Sequence, residues 1–137
     1  MNRIFFIAGC IAALTAVAMG AFAAHGLADK LVVERLEVFR TGVTYQFYHA
    51  FALIITALVA YVLPRRLVLI SGWFFIGGIF FFSGSLYALA LREWIGFPID
   101  WLGPVTPFGG LLFICGWAVL AWAAFPEKPK PEIGEEG

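Results

Sequence analysis

Charge is scarce in this chain, and within its long apolar stretches it is missing altogether. Only 13% of the 137 residues are Asp, Glu, Lys or Arg, about half the share of an ordinary soluble domain. Nine basic and nine acidic residues cancel to a formal net charge of +0, which leaves no basic field for nucleic acid and no patch strong enough for tight electrostatic binding to anionic lipid. Nucleic-acid binding is excluded on that ground. Cysteine and histidine are rarer still, at two each. Cys10 lies near the start of the first apolar stretch and Cys115 in the middle of the last, so their depths differ and a disulfide is not expected. No Cys, Asp or Glu stands inside the apolar stretches beside a histidine to complete a ligand set, so no metal site is expected. The same lack removes the intramembrane charge that an ion-coupled transporter normally keeps.

Hydrophobic residues, by contrast, make up 62% of the sequence, with a mean hydropathy of +0.92. A helix rises about 1.5 Å per residue, so a hydrocarbon core about 30 Å thick needs roughly 20 apolar residues in a row. Four runs meet that length without a charge, at about 4–24, 44–63, 67–91 and 107–125. They predict an all-α integral membrane protein, an antiparallel bundle of four transmembrane helices forming one domain over 1–125. The remaining stretch, 126–137, is rich in proline and glutamate and is expected to be a disordered cytoplasmic tail. Asn2-Arg3, an apolar run and Ala21-Phe22-Ala23 imitate a signal peptide. The run is of full spanning length, so a retained first helix is expected. Ile7-Ala8-Gly9-Cys10 looks like a lipoprotein box but falls too early, and Cys10 is read as a small packing residue.

Between the first two runs, charged Lys30, Glu34 and Glu37 alternate with apolar Val32, Leu36, Phe39 and Val43, which predicts an interfacial helix at about 29–40. Trp94, Phe97 and Trp101 in the other long loop suit the headgroup level. Thr106-Pro107 reads as the N-cap and first residue of the last helix. Arg3, Arg65, Arg66, Lys128 and Lys130 lie on the side of the termini, against Lys30, Arg35, Arg40 and Arg92 opposite. The compact Pro64-Arg65-Arg66 turn and Arg3 favour both termini in the cytoplasm of a bacterial inner membrane.

Close approach of helices in lipid depends on small residues. Gly9, Ala13, Ala16, Gly20 and Ala23 recur at steps of four and three along helix one, a heptad-like seam. Gly77, Gly78 and Gly84 in helix three, and Gly109 and Gly116 in helix four, are the expected partners. The polar residues gather toward the face opposite the termini: His25 ends helix one, Tyr45, Gln46 and His49 open helix two, Ser83, Ser85 and Tyr87 close helix three, and Thr106 opens helix four. These eight are the candidate ligand-binding cluster, with His49 at its centre. Thr15, Thr56 and Ser71, in the other half, are expected to bond to their own helix backbones.

Gly20-Ala21-Phe22-Ala23-Ala24-His25-Gly26-Leu27, Thr44-Tyr45-Gln46-Phe47-Tyr48-His49-Ala50, Phe82-Ser83-Gly84-Ser85-Leu86-Tyr87 and Val105-Thr106-Pro107-Phe108-Gly109-Gly110 with Gly116-Trp117 resemble the signature blocks of the YgdD-like family. These are small bacterial inner-membrane proteins with a mitochondrial relative in animals. The resemblance spans all four helices, with Ala23 where members often have glycine, and implies a four-helix inner-membrane protein without assigning an activity.

The chemistry open to the cluster is limited. Two imidazoles, His25 and His49, can in principle ligate a haem b. Ser83 or Ser85 beside His49 lacks an intramembrane carboxylate to orient the ring, although Glu93 and Asp100 stand in the adjacent loop. No catalytic residue is assigned and an enzyme is not expected. Two readings remain. The favoured one is a structural or accessory protein, a small subunit or assembly factor of a membrane complex, whose partners are the lipid bilayer and another membrane protein. The other is a binding or redox protein that holds a quinone, a lipid headgroup or haem b in a pocket opening away from the termini.

Overall fold

Asparagine at position 2 starts the first helix. Its side-chain carbonyl accepts the backbone N–H groups of Ile4 (3.1 Å) and Phe5 (3.3 Å), two of the donors that a helix start leaves unpaired. Its own N–H donates to the carbonyl of Ala57, tying the start of one span to the end of the next. The computed structural model describes residues 1–125, and the tail expected at 126–137 lies outside them. Helix α1 (Arg3–Phe22) continues through a widened turn, Ala23–Leu27. Helix α2 covers Val33–Val59. The third span is α3 (Arg65–Gly78), a widened turn at Ile79–Ser83 and α4 (Gly84–Ala90). A short α5 (Arg92–Ile95) and a 3-10 turn (Asp100–Leu102) lead into α6 (Val105–Ala123). Among the described residues there is no strand, and four helices are long and apolar enough to cross a bilayer.

The segment expected as a separate interfacial helix at 29–40 is not one. Residues Val33 to Val43 are the first three or so turns of α2. No proline interrupts the path from Arg40 to Thr44, and the Thr41 hydroxyl donates back to the Glu37 carbonyl (2.9 Å), so the helix runs on. Buried Gly42 faces the Tyr87 ring, and a Cβ there would meet it. Thr106 is not the N-cap of α6 either: Pro104 precedes the helix without a side-chain cap.

Helix α1 packs along α2, and the third span packs against both α2 and α6, which leaves α2 and the third span at the centre of the bundle. Toward the termini the core holds Phe5, Ala52, Leu53, Ala57, Phe75 and Phe113. A second cluster at the opposite end holds Ala23, Leu27, Leu36, Phe39 and Ala90. Among the seam glycines of α1 the tight point is Gly9, where a Cβ would approach the Ala50 carbonyl oxygen at 2.8 Å. Gly20 has only Val43 at an ordinary 3.5 Å. Gly78 faces the Phe113 ring, Gly109 faces the backbone of Phe82, and Gly116 faces Phe75, whereas Gly84 has nothing within 4 Å.

The end of the bundle away from the termini is tied by Arg35. Its guanidinium donates to the Leu89 carbonyl (3.0 Å), close to the end of α4, and pairs with Glu93 at 3.2 Å. Glu93 is well exposed, so the ion pair contributes little and the carbonyl contact should dominate. Arg35→Ala is therefore expected to lower stability by about 1 kcal/mol and to speed proteolysis between residues 92 and 104, with Glu93→Gln near neutral. Equal losses in the two variants, read by thermal unfolding in detergent, would show that the ion pair matters instead.

Candidate functional site

Six of the eight candidate cluster residues fall into three separate groups. In the first, Gln46 is the hub. Its amide N–H groups donate to the Ala12 carbonyl (2.9 Å) and the Thr15 hydroxyl (2.8 Å) of α1, and its carbonyl accepts the Tyr87 hydroxyl (2.8 Å) of α4. One side chain thus joins three spans. Thr15 in turn donates to its own helix at Ile11 and Ala12.

In the second group, His49 sits between α2 and α6. Its Nδ1 lies 2.7 Å from the Tyr45 carbonyl, which only accepts, so this nitrogen carries the proton. Its Nε2 then accepts the Trp117 indole N–H at 3.2 Å. The ring lies flat on Phe113, with centroids 3.4 Å apart and planes within 9°. Both ring nitrogens are engaged within the protein. In the third group, Ser85 donates to the Phe82 carbonyl (2.9 Å) and meets the Thr106 hydroxyl at 2.6 Å, linking α4 to α6.

The single site centred on His49 that the sequence reading expects is thus divided. Gln46 and Tyr87 belong to one group, Tyr45 and His49 to another, Ser85 and Thr106 to a third. His25 is exposed and takes part in none of them, so no pair of histidines faces a common slot. Ser83 is fully buried and its hydroxyl has no partner among the described residues. A helical serine usually bonds to the carbonyl four residues back. Here that carbonyl, on Ile79, accepts the Gly84 N–H across the widened turn. Ser71, expected to bond to its own helix, donates to the Gly116 carbonyl of α6 at 2.8 Å. Thr56 does bond to its own helix, at Ala52.

Beside the first and third groups lies a cleft of about 540 Å³, lined by Gln46, Ser85 and Tyr87 and by the apolar or small residues Ile79, Phe80, Phe81, Gly84, Ala88, Leu102 and Val105, with Trp101. Its volume falls in the range of small-molecule sites. Widened helical turns are frequent at such sites, and Ile79 to Phe81 of this one form part of the wall. Phe80 and Trp101 are strongly exposed and stand at the rim. Three side chains with a polar atom that have a part here lie outside the expected cluster: Thr15, Trp117 and Trp101. Trp117 was open to inference, because an indole N–H within lipid needs an acceptor.

Fold and site together define a four-span integral membrane protein with internally bonded polar groups and a cleft in its third span. Residues 19–110 match the family described as "Protein of unknown function (DUF423)", and the chain belongs to that family. It is 43% identical over 121 residues to a UPF0382 membrane protein of Staphylococcus epidermidis, covering 88% of this chain and 94% of the relative. Identity to the UPF0382 membrane protein YwdK of Bacillus subtilis is 43% over 123 residues, covering 89% and 96%. No solved structure matches.

Proposed function

We propose that the protein is a structural or accessory component of a membrane complex, a small subunit or assembly factor, in the bacterial cytoplasmic membrane with both termini in the cytoplasm. What carries this reading is that the hydrogens of Gln46, Tyr87, His49, Trp117 and Ser85 are used within the protein. Such groups fix helix register, whereas a catalytic group needs a hydrogen or lone pair directed at a substrate. The resemblance to the YgdD-like family supports the inner-membrane placement. The turn around Arg66 and the position of Arg3 support the orientation.

The test has two parts. Reporter fusions after Phe125 are expected to be active with a cytoplasmic reporter only, and activity of a periplasmic reporter there would reverse the orientation. Gentle purification from native membranes is expected to bring down stoichiometric partner bands. A protein that elutes alone from several mild detergents would remove the accessory role. The cleft beside Gln46 and Tyr87 favours a second reading, a protein that holds a small amphipathic ligand within the bilayer.

A further inference from the structure

The cleft in the third span has a one-sided hydrogen-bonding character. Gln46 has two amide hydrogens, given to Ala12 and Thr15. Tyr87 has one, given to Gln46. Ser85 has one, which serves either the Phe82 carbonyl or Thr106. Each of these side chains keeps oxygen lone pairs, because a carbonyl or hydroxyl oxygen accepts twice. The inner polar wall therefore offers acceptors and no side-chain donor. Among the described residues, the only other side-chain N–H of the lining is that of Trp101, which is 67% exposed. The rest of the surface is apolar, with the rings of Phe80 and Phe81 prominent.

From this we infer that the cleft binds an amphipathic molecule with a hydroxyl head and a single apolar chain, held by donation of its O–H to the side-chain oxygen of Gln46 or of Tyr87. The inference rests on the ligand-holding reading above. A ketone or ether head places acceptor against acceptor in a dry site and is rejected, since neither oxygen is then paired. An aromatic diol such as a quinol has the required O–H and a flat ring that suits aromatic walls. An aliphatic lipid alcohol shares the O–H without the ring. The volume, about 540 Å³, accommodates a ring and a short length of chain.

Gly84 supplies a clean probe of the site. It lines the cleft, and a Cβ there meets nothing within 4 Å. The Cβ of a leucine there would meet open space, and leucine favours the helix. The full chain in lipid nanodiscs is titrated with decyl-hydroquinone kept reduced, with the corresponding decyl-quinone, with the dimethyl ether of the hydroquinone, and with dodecanol.

The hydroquinone is expected to bind saturably and about tenfold more tightly than the quinone or the ether, the effect of one hydrogen bond or slightly more. Gly84→Leu should abolish that binding with the thermal transition unchanged, and Tyr87→Phe should weaken it severalfold. Dodecanol binding as tightly as the hydroquinone would support the hydroxyl rule and identify an aliphatic alcohol as the source. Weaker dodecanol binding would identify the quinol. Equal affinity for the reduced and oxidised probes would overturn the hydroxyl rule while leaving a ligand cleft. Absence of saturable binding by every probe, or binding unchanged in Gly84→Leu, would overturn the cleft as a ligand site altogether.

Discussion

Gly109→Leu should be the most damaging glycine substitution in the bundle. A Cβ at this position would run into the backbone of Phe81 and Phe82, in the widened turn of the third span. Backbone inside a helix has no rotamer to change, so the two helices must separate. Overpacking costs about 1–3 kcal/mol where side chains give way, and here the upper end or beyond is expected. Separation would also strip contacts from Tyr45 and Phe113, which pack on Phe82. Gly84→Leu is the matched control, because its Cβ falls on open space only two residues beyond Phe82. The measurement is the thermal transition in detergent for both variants. A similar drop in the two would mean that the approach of α6 to Phe82 is not what holds the bundle together.

His49→Ala comes second. It removes the acceptor of the Trp117 indole and the ring that lies on Phe113, leaving a cavity between α2 and α6. An orphaned donor of this kind costs about 1–3 kcal/mol, and the lost packing adds to it. Direct interhelical hydrogen bonds in membranes average only about 0.6 kcal/mol, so the penalty should come from the unpaired partner more than from the bond itself. That distinction is testable. His49→Phe keeps a ring against Phe113 but leaves Trp117 unpaired, while the double variant His49→Phe with Trp117→Phe removes both polar groups. The double variant is expected to be more stable than His49→Phe alone. Additive losses in the two single variants and the pair would show that Trp117 and His49 do not act together.

The class of protein was legible from the chain itself, for reasons that are local. Four uncharged runs of about 20 residues have one stable home, and a helix is the structure that satisfies its own backbone within lipid. The curated relatives named as membrane proteins agree with that class. The clustering of polar residues in half of the spans was equally visible, because depth along a helix follows directly from residue count. Where α2 begins was harder to read. Charged residues at 30–40 suggest a separate element, but amphipathic spacing says which face is apolar and nothing about whether a helix stops.

The partners of each polar side chain belong to the tertiary structure alone. Residue number gives depth and approximate face, yet the hydrogen-bonding choice of Gln46 depends on which helices lie beside it, and these turn out to be α1 and α4. Without that packing, His49 was the natural hub, since imidazole can donate and accept. In the fold it is occupied on both sides by Tyr45 and Trp117, and Gln46 takes the joining role. The cleft likewise has no linear signature: Gln46, Tyr87 and Trp101 come from three different elements. What the sequence by itself determined was thus the set of spans and the depth of each polar group, both consequences of transfer to lipid and of helical rise. Which groups bond to one another, and where space is left between them, was decided only by the packing of the helices, because contacts between distant residues depend on rotation and approach that no single span contains.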